Sequence, residues 1–130
     1  MPDLVTLEDV LALQERPRAL GSEAMTFEPA WTGLTEVGSV TKAGVVVTAG
    51  DLVLLVATIT SAGGTSAAVA GSTYLALPVP TRYAGVAGVA DATTLAGLAS
   101  GVVTTTGRLY VPSWVATADT IVINATYRRA

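Results

Sequence analysis

The chain has 130 residues, enough for one domain with its own core, and 51% of it is apolar against 13% charged. That balance excludes intrinsic disorder and a long charged coiled coil, and a net charge of −3 supplies no basic footprint for nucleic acid. With no His and no Cys, the commonest general base, the commonest metal ligand, every thiolate site and every disulfide are missing.

The first segment has helical spacing. Leu4, Leu7 and Leu11 follow a 3-4 pattern that Val10 and Leu13 widen, and Thr6 with Asp9 is a weaker form of the capping box. Pro17 stops the pattern near Arg16. So short a helix is marginal alone. It therefore docks on its own domain, packs against copies of itself through Leu4, Leu7 and Leu11, or inserts into another surface. Seven acids fall within residues 1–36 against Arg16 and Arg18, whereas the remainder holds three acids and five bases. That shift places a boundary between an N-terminal anchoring or trimerising segment, residues 1–25, and a second domain, residues 26–130.

From Phe27 onward the signals are those of strands. Val45 to Thr48 and Leu52 to Thr60 are strands joined by the turn Ala49-Gly50-Asp51. The second is apolar at consecutive positions, so both its faces are expected to be covered. Ser61 to Ser72 (SAGGTSAAVAGS) has the composition of a loop, with Gly63-Gly64 as its turn. Tyr74 to Leu77 is a strand stopped by Pro78 and Pro80. Small residues alternate with Val from Tyr83 to Ala90, and the pattern runs on through Leu95, Leu98, Val102 and Val103. Arg108 to Val111 follows, bounded by Gly107 and Pro112. Finally, Thr120 to Tyr127 puts Ile121, Ile123, Ala125 and Tyr127 on one face. Short strands at this spacing predict an all-β, antiparallel sandwich of the jelly-roll kind.

Between Ala43 and Thr81 the sole charge is Asp51. Either the chain has a small apolar core under a Ser/Thr/Gly surface, or several faces are buried between subunits. The longest apolar run, Val45 to Ile59, is broken by Thr48, Gly50 and Asp51 and is too short for a membrane helix, so no membrane insertion is expected. The acids near the start (Asp3, Glu8, Asp9) stand where an export signal would carry Lys or Arg, so the protein is expected to be made and kept without a cleaved export signal, exit inside a larger particle staying open to it.

Little of the chain points to catalysis. Asp51, Asp91 and Asp119 each follow Gly or Ala in turn-like contexts, where a carboxylate caps backbone amides. No calcium loop, nucleophile elbow or phosphate loop is present. The expectation is a protein that is not an enzyme and takes no cofactor or metal. Trp114, in VPSWVAT, is either a core anchor or an outward loop aromatic, whereas Trp31 has the context of a packing residue.

The stretch Thr26-Phe27-Glu28-Pro29-Ala30-Trp31-Thr32-Gly33 resembles the (Y/F)-x-P-x-W-T-G opening of C-terminal domains in tailed-phage fibre and minor tail proteins. Tyr74-Leu75-Ala76-Leu77-Pro78 is similar to their run ending in Leu-Pro. Trp114, the Ala118-Asp119 turn and the strand ending in Tyr127 are similar to their close. The resemblance covers residues 26–130. It implies a homotrimeric β-rich virion protein, held to other virion proteins through its N-terminal segment and displayed on the particle for attachment. A capsid decoration or head-fibre protein is the alternative within that class, and a carbohydrate-binding adhesin module is one outside it. On this reading the outward loops, with Trp114, Tyr110, Gly63 and Gly64, contact the host surface, expected to be glycan.

Overall fold

Period-2 alternation of buried and exposed side chains governs the architecture. The computed structural model describes residues 22–130, and the regular structure there is entirely β: β1 (Ser22–Phe27), β2 (Trp31–Thr32), β3 (Thr35–Val37), β4 (Thr41–Ala49), β5 (Leu52–Thr60), β6 (Thr65–Ala68), β7 (Tyr74–Ala76), β8 (Gly85–Asp91), β9 (Ala96–Gly97), β10 (Gly101–Thr104), β11 (Arg108–Tyr110), β12 (Trp114–Thr117) and β13 (Thr120–Arg128). Ten of them form one antiparallel sheet in the order β1-β4-β5-β13-β8-β10-β11-β7-β2, with β9 beside β8. This sheet curls into a half-barrel. A smaller sheet, β12-β6-β3, contributes to the same core. The predicted antiparallel all-β class is thus observed. The predicted helix, with Leu4, Leu7 and Leu11, lies outside the described residues. Strand β1 begins at Ser22, so a domain boundary at residue 25 or 26 would cut through it.

The β4–β5 hairpin forms where the sequence places it. Gly50 takes φ +62, which the tight turn needs and a side chain would resist. In β5, Val53, Leu55, Ala57 and Ile59 point inward, while β13 supplies Ile121, Ile123, Ala125 and Tyr127, the face expected of it. Register then builds the core in rows. Val46, Leu55, Ala125 and Ala87 lie side by side across four strands, and Val103, Leu109 and Leu75 across three more. The Tyr127 hydroxyl donates to the Val79 carbonyl at 2.7 Å, and burial pushes its phenol up to about 12.

The Thr26–Gly33 stretch forms joints. Phe27 lies over Gly44, where a Cβ would overlap its ring. Trp31 opens β2 and meets Trp114 edge-on at 6.5 Å between ring centroids. Gly33 takes φ +77 against the Ser72 carbonyl and accepts a hydrogen bond from Thr73 Oγ1 at 2.9 Å.

One local reading is corrected. The Ser61–Ser72 stretch is not a continuous loop, because Thr65–Ala68 forms β6, paired to β3 and β12. Its small residues read as loop residues, but Ser66 and Ala68 are buried where only small side chains fit beside Trp114. On β5 the described residues cover one face only, and Leu52, Leu54 and Val56 are exposed among them on the other.

Candidate binding surfaces

Strand pairing defines an outer face opposite the core, since directly paired residues share a side of the sheet. Its rows run Ala24-Val47-Leu54-Thr126, Thr26-Val45-Val56-Asn124 and Ala43-Thr58-Val122-Ala90. No charge interrupts them. Arg128 lies in the neighbouring row with Ala49 and Leu52, where it pairs with Asp51 at 2.9 Å. Val45, Leu54 and Val56 are 43%, 45% and 42% exposed, and Val86 and Val102 extend the bare apolar surface across β8 and β10. Together these side chains leave on the order of 500 Å² of apolar surface open, at the upper end of what a soluble monomer tolerates.

Further round the same outer face, one row runs Thr32-Tyr74-Tyr110-Val102-Val86 over five strands. Cross-strand pairing brings the Tyr74 and Tyr110 rings to 5.2 Å between centroids. The Arg108 guanidinium lies 4.4 Å above the Tyr74 ring, and its Nη1 donates to Tyr110 Oη at 3.1 Å. That hydrogen bond holds the Arg108 pKa above its ordinary value. Tyr110 also borders an open groove of about 490 Å³, lined by Ala70, Gly71, the Ala99–Val102 stretch, Val111 and Pro112. The described ion pairs engage Lys42 with Glu36 and Arg128 with Asp51; among the described residues Arg108 has aromatic partners instead.

The expected site residues are thereby separated. Tyr110 sits in the groove, and Ala70 and Gly71, from the predicted outward loop, reach it. Gly63 and Gly64 do not line it; they form the turn against Gly38 and Ser39. A Cβ on Gly64 would overlap the Val37 carbonyl, and the Gly64 carbonyl accepts from the Ala118 amide at 3.1 Å. Trp114 is not an outward loop aromatic: it opens β12, is 6% exposed, and its Nε1 donates to Ser66 Oγ at 3.2 Å. The reading as a core anchor is the one that holds, because the curled sheet and β6 close over the indole. Tyr74 and Arg108, which the sequence does not single out, join Tyr110 in this cluster. Their only sequence signal is the shared alternation of two short strands, and nothing in it reveals which strand pairs with which.

The acids behave as turn residues. The Thr94 and Thr93 amides donate to Asp91 Oδ1 at 3.0 and 2.9 Å, holding its carboxyl below the usual range. Asp119, hydrogen-bonded to Asp91 in its protonated form, is pushed above that range. The Arg128 hydrogen bond lowers Asp51. No family model matches the chain, and neither a curated protein nor a solved structure does.

Proposed function

We propose that the protein is a non-enzymatic structural component of a tailed-bacteriophage particle, a trimeric tail-fibre or tail-tip protein that displays its β domain for attachment to the host surface. The observation that carries this reading is the set of three uncharged rows on the outer face of β1, β4, β5 and β13. Strand β5 is apolar on both sides. Among the described residues, only its inner side has something to bury against. Further copies supply the cover, since each presents the same bare rows, and the flanking Thr26, Asn124 and Thr126 extend the patch toward the roughly 800 Å² that a specific interface takes from each partner. Closed rotational symmetry then uses every copy of the face. The finer fold expectation, a jelly-roll-like sandwich assembled as a trimer, belongs to the same proposal. The resemblance of Thr26–Gly33 to fibre-domain openings adds the virion context, and those residues here form the joints at the end of the sheet.

Light scattering on the purified chain tests the assembly, with three copies expected. A single copy at working concentration overturns the trimer. Immunogold labelling of particles tests the context: label at the tail is the expected result, label at the head moves the protein to decoration, and unlabelled particles overturn the virion assignment.

A further inference from the structure

We propose that Arg108, Tyr74 and Tyr110, with the groove beside them, form a binding site for an acidic saccharide, a pyranose that carries a carboxylate. This inference rests on the reading of the domain as displayed toward a host surface, and it names the chemistry recognised there. Sugar rings bind through apolar C–H faces laid on aromatic rings, with polar edges satisfied at the side. Tyr110 offers such a ring at the margin of a groove whose other walls are small or apolar, Ala99, Gly101, Val102 and Pro112. A pyranose entering the groove meets little beyond this ring and low side walls, so shape alone discriminates weakly between sugars.

Charge makes the discrimination. The Arg108 guanidinium carbon sits over the Tyr74 ring, and the bond to Tyr110 Oη engages one N–H. The remaining N–H groups have no hydrogen-bond partner among the described residues, and a guanidinium fork matches the two oxygens of a carboxylate. A surface arginine normally loses side-chain freedom on capturing an anion; here two tyrosines have already restricted it. No carboxylate competes for it among the described residues. Among the described residues Arg108 is held by aromatic rings rather than by an acid, an arrangement that an acidic ligand fits.

The test is titration of the full-length protein with oligogalacturonate, with maltotetraose as the neutral pyranose and polyglutamate as the carboxylate without a ring. Binding is followed by amide chemical shifts in a ¹⁵N-labelled sample. The expected result is saturable binding of oligogalacturonate alone, with shifts confined to residues 70–76 and 99–112. Arg108→Gln is expected to weaken it at least tenfold. Tyr110→Phe, which keeps the ring and removes the anchor of the guanidinium, is expected to weaken it several-fold. Equal binding of maltotetraose or polyglutamate, shifts elsewhere, or no saturable binding overturns the site. The wild-type titration decides this even if a variant fails to fold. Native mass on the same sample separates the two proposals: a trimer that ignores the acidic sugar overturns only the site, and a monomer that binds it overturns only the assembly.

Discussion

Trp114 is the clearest case of a side chain whose role depends on what closes over it. Its indole fills the space between β6 and Trp31, so Trp114→Ala is expected to destabilise the fold by about 3–5 kcal/mol in denaturant titration. A variant that kept full stability would return the indole to the surface. Neighbouring glycines separate just as sharply. Gly64→Ala forces a Cβ into the Val37 carbonyl and is expected to cost more than about 1 kcal/mol. Gly63→Ala meets nothing nearer than Ser39 Cβ at 3.8 Å and is expected to leave the melting temperature unchanged. The carboxylates give the pH response. Arg128 holds Asp51, and the Thr94 and Thr93 amides hold Asp91, below the usual 3.8. Their contribution to stability is therefore complete above that value and lost as pH falls through the lowered folded values. Asp119, raised by Asp91, contributes in the opposite sense, most in acid and less as pH rises through its folded value. Melting curves from about pH 6 down to about pH 2 are expected to show a fall in stability that Asp51→Asn makes shallower. An unchanged profile in that variant would dismiss the Asp51–Arg128 pair as a contributor.

Strand β5 presents two apolar sides with different fates. Leu55 is fully buried against Val46 and Ala125, and Leu55→Ala is expected to cost about 2–5 kcal/mol. Leu54 and Val56 lie on the bare side. Leu54→Glu with Val56→Glu is expected to keep the circular dichroism of a β fold while reducing the native mass to a single chain. If the double variant kept the wild-type mass, the interface would lie elsewhere. The edge position of β1 limits this surface: beyond it the sheet has no further described strand, so the apolar rows end at Ala24 and Thr26.

For the whole molecule, the core is built from residues between Val46 and Tyr127, from both sheets. A truncation that removes residues 1–21 leaves β1 intact and is expected to unfold as cooperatively as the full chain. Under the proposed division of labour it would fail to enter particles. If it still assembled into particles, the anchoring role of the N-terminal segment would be excluded. A chain cut at residue 25 is a poorer test, because it removes most of β1 from its pairing with β4.

What the sequence determined by itself was the antiparallel all-β class, the β4–β5 turn and the inward face of β13. Each rests on local physics: a two-residue period, glycine's access to positive φ, and the punctuation of Gly and Pro. Tyr110 was expected from the sequence to contact a ligand, and the structure places it at the margin of the groove. Tertiary structure alone decided that SAGGTSAAVAGS contains a strand, that Trp114 is inside, which side of β5 faces the core, and that Tyr74, Arg108 and Tyr110 share a face. Those outcomes depend on pairing between segments some 30 to 50 residues apart. A shift of one residue in either register would move every side chain to the other side of its sheet, and neither composition nor local alternation specifies that register.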